Sequence, residues 1–159
     1  MMNTVERAGR ALLMAALGVA SVAASAQAVT FSKPEEAVNY RKGAFEVMER
    51  HFSHLSNMAL GRIPFNKQQA VFDASTVRLL SLLPYQAFVP GTEHVANTHA
   101  NDLVWSATPR FQGEARDFQA KAARLPALAR SGDIAALKKA VADTGASCRK
   151  CHDSFRERG

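Results

Sequence analysis

Five residues near the end of the chain, Cys148-Arg149-Lys150-Cys151-His152, have the types and the spacing to do chemistry. On a helix, positions three and four apart are neighbours, so the two thiols and the imidazole share one face. C-x-x-C-H is the attachment signature for a c-type haem. The thiols form thioethers with the porphyrin vinyl groups, and the imidazole reaches the iron from the same side. The competing reading is a helical cysteine pair, either a disulfide or a thioredoxin-like redox couple. The redox couple needs a preceding βαβ pattern, and none is visible in the sequence. There are two cysteines and the motif uses both, so no structural disulfide is left to place. The expected cofactor is one covalent haem c per chain, attached at Cys148 and Cys151, with His152 as the metal ligand.

The N-terminus bears on where that chemistry happens. Arg7 and Arg10 precede an apolar stretch from Ala11 to Ala24, and the small-residue patterns Ala24-Ser25-Ala26 and Ala26-Gln27-Ala28 follow. This is the layout of a secretory signal peptide. The apolar stretch is shorter than the ~20 residues that a spanning helix needs. Residues 1–28 are therefore expected to be a leader, cut after Ala26 or Ala28, and residues 29–159 one domain with no membrane anchor. A c-type haem is attached after export, so a periplasmic location follows. The 20 basic and 14 acidic side chains become 18 and 13 once Arg7, Arg10 and Glu6 leave with the leader. The charges are scattered and the compartment is wrong for nucleic acid. They read as a solvated surface that favours acidic redox partners.

The elements that must position the motif are helical. Ser32-Lys33-Pro34-Glu35-Glu36 is a helix start, with Ser32 or Lys33 as cap, Pro34 in the first turn and two acids at the positive end of the dipole. Apolar residues then recur at Ala37, Tyr40, Ala44, Val47/Met48, Phe52, Leu55 and Met58, up to a stop at Leu60-Gly61. A second helix is predicted from about Asn66 to Phe88, with Pro84 bending or ending its regular part. Residues 89–101 read as loop. A third helix is predicted from near Trp105–Pro109 to Arg130, with Pro126 expected to kink it and Ser131-Gly132 to stop it. Asp133 caps a fourth, which carries the haem motif and a Gly145 that allows close approach of the cofactor. No period-two stretch makes a confident strand. Four amphipathic helices joined by mostly short loops predict an all-α, antiparallel up-and-down four-helix bundle with covalently bound haem.

Over essentially the whole mature chain the sequence resembles the cytochrome c′ family, the class II c-type cytochromes. The resemblance rests on Lys33-Pro34-Glu35-Glu36-Ala37-Val38 with Tyr40-Arg41, on Leu83-Pro84-Tyr85 through Ala87-Phe88 to Pro90-Gly91-Thr92-Glu93, and on Gly145-Ala146-Ser147-Cys148 with Cys151-His152-Asp153 and Phe155-Arg156. It implies a five-coordinate iron, with histidine on one side and an open site formed by the first helix on the other. Matching the Tyr40-Arg41 run places Phe45 at that open site, although its helical pattern alone reads as core. A benzyl ring has no lone pair for iron and can only block the site. Arg41 is the implied partner of a haem propionate, against a plain surface arginine. Arg156, one turn beyond His152, is implied to line the pocket on the histidine side, with Phe155 beside the haem edge. The alternative for Arg156 is charge complementing the helix C-terminus. Met48 lies one turn past Phe45 and reads as core rather than as the ligand of a six-coordinate carrier.

The remaining histidines are weak signals. His51 and His54 have a possible metal spacing but read as partly solvated, and His94 and His99 fall in the loop. Tyr85 and Trp105 read as packing residues. The functional expectation is a periplasmic haem protein that binds nitric oxide and carbon monoxide and can take part in electron transfer, with an unidentified redox partner. The alternative is a six-coordinate low-spin electron carrier with a methionine ligand. An enzyme such as a peroxidase lacks support, because no distal histidine with an arginine partner is visible. Family resemblance also implies a homodimer formed through the first two helices.

Overall fold

The computed structural model describes residues 29–157, and the leader assigned to residues 1–28 lies outside the described residues. The first helix, α1 (Pro34–Ala59), begins with Pro34 in its first turn, where a missing N–H costs nothing. Lys33 occupies the cap position without a side-chain cap. Glu36 instead accepts a hydrogen bond from the Ser32 amide at 3.0 Å. After α1, Gly61 turns the chain with φ at 71°, a left-handed conformation that suits glycine. α2 (Lys67–Leu80) starts at Asn66, whose side chain accepts from the Gln69 amide at 3.0 Å.

α2 stops well short of the predicted Phe88. Pro84 has no N–H to give the Leu80 carbonyl, and its ring crowds that carbonyl. The backbone tightens to i→i+3 bonds, Leu82 to Leu79 and Leu83 to Leu80 at 3.2 Å each, and passes into a 3₁₀ turn, Pro84–Ala87. A loop leads to α3 (Leu103–Ser106), a single turn, and then to α4 (Thr108–Ser131). α4, in which the sequence predicts a kink at Pro126, continues through that buried residue as one helix. Gly132, at φ 77°, ends it. α5 (Ile134–Phe155) is capped by Asp133, which accepts from the Ala136 amide at 2.9 Å, as predicted.

The four long helices close a ring: α1 packs on α2 and α5, and α4 packs on α2 and α5. This is an all-α, four-helix bundle with antiparallel neighbours across the short loops. No strand occurs among the described residues; one isolated antiparallel bridge, Ala100 with Arg156, ties the long loop to the end of α5. The core has two parts. An aliphatic cluster holds Leu55, Met58, Val77, Leu125 and Leu137, with alanines such as Ala74 and Ala122 at the α2–α4 contact. A smaller aromatic cluster gathers Phe111 and Phe155 with Tyr85, Phe88 and Trp105 at the other end.

Candidate functional site

Where the two clusters meet, the bundle leaves a cavity of about 820 Å³ between α1, α4 and α5. That is within the size range of pockets that enclose a cofactor. Cys148, Cys151 and His152 all line it from α5, as the helical spacing requires. Both thiols are free and half-buried. Burial pushes the Cys148 thiol up, and burial aided by the Glu114 charge pushes Cys151 up to about 11. Each sulfur is therefore a neutral thiol near pH 7. Burial, and then the charge of Arg156, pull His152 below the ordinary histidine value, which keeps its imidazole neutral and able to bind a metal.

The remaining walls are mostly hydrocarbon. Phe45, Met48 and Phe52 come from α1, Tyr85 and Phe88 from the 3₁₀ turn, and Phe111 and Phe118 from α4. Phe45 meets Tyr85 edge-on, with centroids 5.9 Å apart and planes at 89°, and meets Phe88 at 6.5 Å and 63°. The ring that covers the α1 side is thus itself held by two others. Met48 is a core residue, as expected, yet it also lines this wall. Lys42, Arg149 and Arg156 add positive charge to the lining, as two carboxylate tails would require, with Glu46 and Glu49 nearby. Gly145 lines the cavity, and a Cβ there would meet the Phe52 ring at 3.6 Å, an ordinary contact. Close packing against protein therefore does not demand the glycine. A flat apolar space, two thiols and an imidazole on one wall, and cationic groups beside it together fit a covalently attached haem.

Arg41 is the sequence candidate whose role the structure changes most. It is 3% exposed, not a surface arginine. One terminal nitrogen donates to the Ala87 carbonyl at 2.9 Å and to Thr92 Oγ1 at 2.8 Å. The other donates to the Thr92 carbonyl at 3.1 Å and to Thr98 Oγ1 at 2.8 Å. All four terminal N–H bonds are engaged, leaving Nε–H as the one donor open to a propionate. The guanidinium also stacks over Phe88 at 4.4 Å. Its first task is to pin the loop after the 3₁₀ turn onto α1.

Arg156 sits at the C-terminal cap of α5, exposed, with its amide donating to the His152 carbonyl at 3.1 Å. It lines the cavity beside His152, as the resemblance implied. Phe155 packs in the aromatic cluster, 5.2 Å from Phe111, and Cys151 packs against the same cluster. His99 reaches the cavity lining, whereas His94 stays in the exposed loop.

Sequence reasoning missed one constellation. Asp73 on α2 is 1% exposed and accepts from His51 Nδ1 at 2.8 Å, His54 Nδ1 at 2.7 Å and Gln69 Nε2 at 3.1 Å. The signal was an acid between Ala70 and Ala74, on the face that α2 buries. Glu114 was also overlooked. It pairs with Lys150 at 2.6 Å, while its second oxygen is buried without a partner.

Comparison with known proteins agrees with this geometry. The family model described as Cytochrome C' matches residues 36–156. The chain is 40% identical to a cytochrome c' of Rubrivivax gelatinosus, over 80% of this chain and 99% of that protein. It is 37% identical to one of Alcaligenes xylosoxydans xylosoxydans, over 80% and 98%. The crystal structure of the Rubrivivax gelatinosus protein superposes with a TM-score of 0.78, covering 80% of this chain and all of that one. A nitric oxide complex of a cytochrome c prime variant from Alcaligenes xylosoxidans superposes at 0.76 with 36% identity, covering 82% of this chain and 100% of that one.

Proposed function

The chain belongs to the cytochrome c′ family and carries haem c covalently, and from that premise we propose that it is a periplasmic five-coordinate haem protein that binds nitric oxide and carbon monoxide. Bound in the cavity, the haem supplies an iron able to take up a diatomic gas or pass an electron. Cys148 and Cys151 fix it to α5, and His152, kept neutral by partial desolvation and then by the charge of Arg156, is the protein ligand. The observation that carries the reading is the α1 wall. Phe45 offers no donor atom there, and the Tyr85 and Phe88 rings hold it in place. Such a wall excludes bulky ligands and gives way only when a ring moves. The nitric oxide complex of the similar Alcaligenes protein supports the same reading. The protein binds gas and carries electrons rather than catalysing a reaction, and its redox partner is a separate molecule. Location in the periplasm rests on the leader and on the chemistry of haem attachment. Among the described residues no helix is long and apolar enough to cross a membrane.

The exposed apolar side chains of α1 and α2, Val47, Phe72 and Leu79, support a homodimer through these two helices. One observation favours a second reading: Met48 lines the same wall as Phe45, and a thioether sulfur is an iron ligand in other c-type cytochromes. Optical spectra of the purified holoprotein decide between them. High-spin ferric and ferrous bands, with carbon monoxide binding to the ferrous form, establish the open site. A low-spin spectrum with a methionine–iron charge-transfer band assigns Met48 to the metal and makes the protein an electron carrier.

A further inference from the structure

A second pocket, of about 210 Å³, lies behind the haem cavity. Tyr85, Phe88 and Phe111 line both spaces, so these rings form a common wall. Trp105, Thr108, Gln112, Arg116 and Gln119 bring polar atoms to the lining of the second pocket, Arg116 is the one charged side chain there, and no carboxylate lines it.

The Trp105 Nε1–H is buried and has no acceptor among the described residues. Burying such a donor unpaired costs free energy, and a native site that does so calls for a missing acceptor. Arg116 is exposed and forms no ion pair among the described residues. One amide of the lining is already occupied, since Gln119 Nε2 donates to the Ser81 carbonyl at 3.2 Å. Tyr85 keeps its proton, because burial raises its phenol well above the ordinary tyrosine range.

An apolar gas molecule would leave the indole donor unsatisfied and gain nothing from a guanidinium. We propose that this pocket is a binding site for a small monovalent inorganic anion, held by the Trp105 Nε1–H and the Arg116 guanidinium. Charge-assisted bonds of this kind are the strong ones. Neither residue belongs to the haem-attachment motif, and the site is separate from the iron.

The test uses the ferrous carbon monoxide form of the holoprotein, and so rests on the gas-binding reading above. In that form the iron is diamagnetic and already filled, so an added anion cannot report by binding it. The chain has a single tryptophan, which gives one indole N–H resonance. Sodium bromide, a redox-inert monovalent anion, is titrated at constant ionic strength against a bulky sulfonate buffer salt. A saturable shift of the indole resonance is expected with bromide and not with the sulfonate. Arg116→Gln should weaken the dissociation constant about tenfold or more, the effect of losing one bond to a charged group. Arg116 is exposed, so the variant keeps the fold. An indole resonance that does not move, that moves without saturating, or that titrates identically in Arg116→Gln overturns the proposal and leaves the pocket to water. If no carbon monoxide form can be made, the open-iron reading fails instead. The same titration of the reduced protein, if its iron is low-spin and diamagnetic, then judges the pocket on its own.

Discussion

At the scale of single residues, the proposed gas-binding reading makes Phe45 a gate and Tyr85 its post. Phe45→Ala removes a ring held edge-on by Tyr85 and Phe88. Carbon monoxide should then bind the ferrous protein faster, by about tenfold for each 1.4 kcal/mol taken off the barrier. Unchanged flash-photolysis kinetics would remove Phe45 from the ligand path. Tyr85 also has a pH consequence. Its folded-state pKa lies above the unfolded one, because burial disfavours the phenolate. Below the unfolded value of about 10, both states hold the proton and the stability is intact. Above it the unfolded chain loses a proton that the fold retains, so stability falls as pH rises through that window. Tyr85→Phe should flatten this alkaline loss in denaturant unfolding measured between pH 9 and 12. An unchanged slope would show that other groups govern it.

Two contacts hold the elements in place around the cavity. Arg41 joins α1 to the loop after the 3₁₀ turn through its four terminal N–H bonds. Arg41→Lys keeps the charge and loses the planar fork, so the conservative change should not rescue it. Amide exchange in residues 87–98 should accelerate, with a loss of about 3 kcal/mol in local stability. Protection equal to that of the parent protein would mean that the loop holds itself. Asp73 joins α2 to α1 through two imidazoles. Asp73→Ala leaves both without an acceptor and should cost about 2 kcal/mol in urea unfolding of the holoprotein. His54→Ala should cost less, because that ring is 47% exposed and already shares its bonds with water. A null effect at Asp73 would make the three-residue contact incidental.

At the scale of the whole molecule, α2 exposes Phe72 at 57% and Leu79 at 61%, and α1 exposes Val47 at 49%. Single apolar side chains on a surface are ordinary, and the proposed homodimer would bury these ones. Leu79→Glu should shift the protein to monomer in sedimentation velocity while its haem spectrum stays the same. A sedimentation coefficient that stays the same would place any self-association elsewhere. The positive balance of the chain bears on encounter with redox partners rather than on folding. Electron transfer with an acidic partner should therefore slow as salt is added.

The four long helical segments, the Asp133 cap and the covalent chemistry were legible in the sequence because all of these are local. A thiol–thiol–imidazole spacing, a Pro at a helix start and an Asp before an apolar run act over a few residues. The resemblance to a family added Phe45 and Arg156, and both lie in the cavity. Tertiary structure alone decided what long-range packing decides. Arg41 reads as a propionate partner or a surface cation until the loop 46–57 residues away supplies its acceptors. Asp73 reads as one acid in a stripe until two histidines from another helix close on it. Pro126 reads as a kink within a helix, and α4 continues through it with the proline buried in the bundle. In each case, partners distant in sequence stabilise a group whose local preference points elsewhere, and no short window of residues contains them.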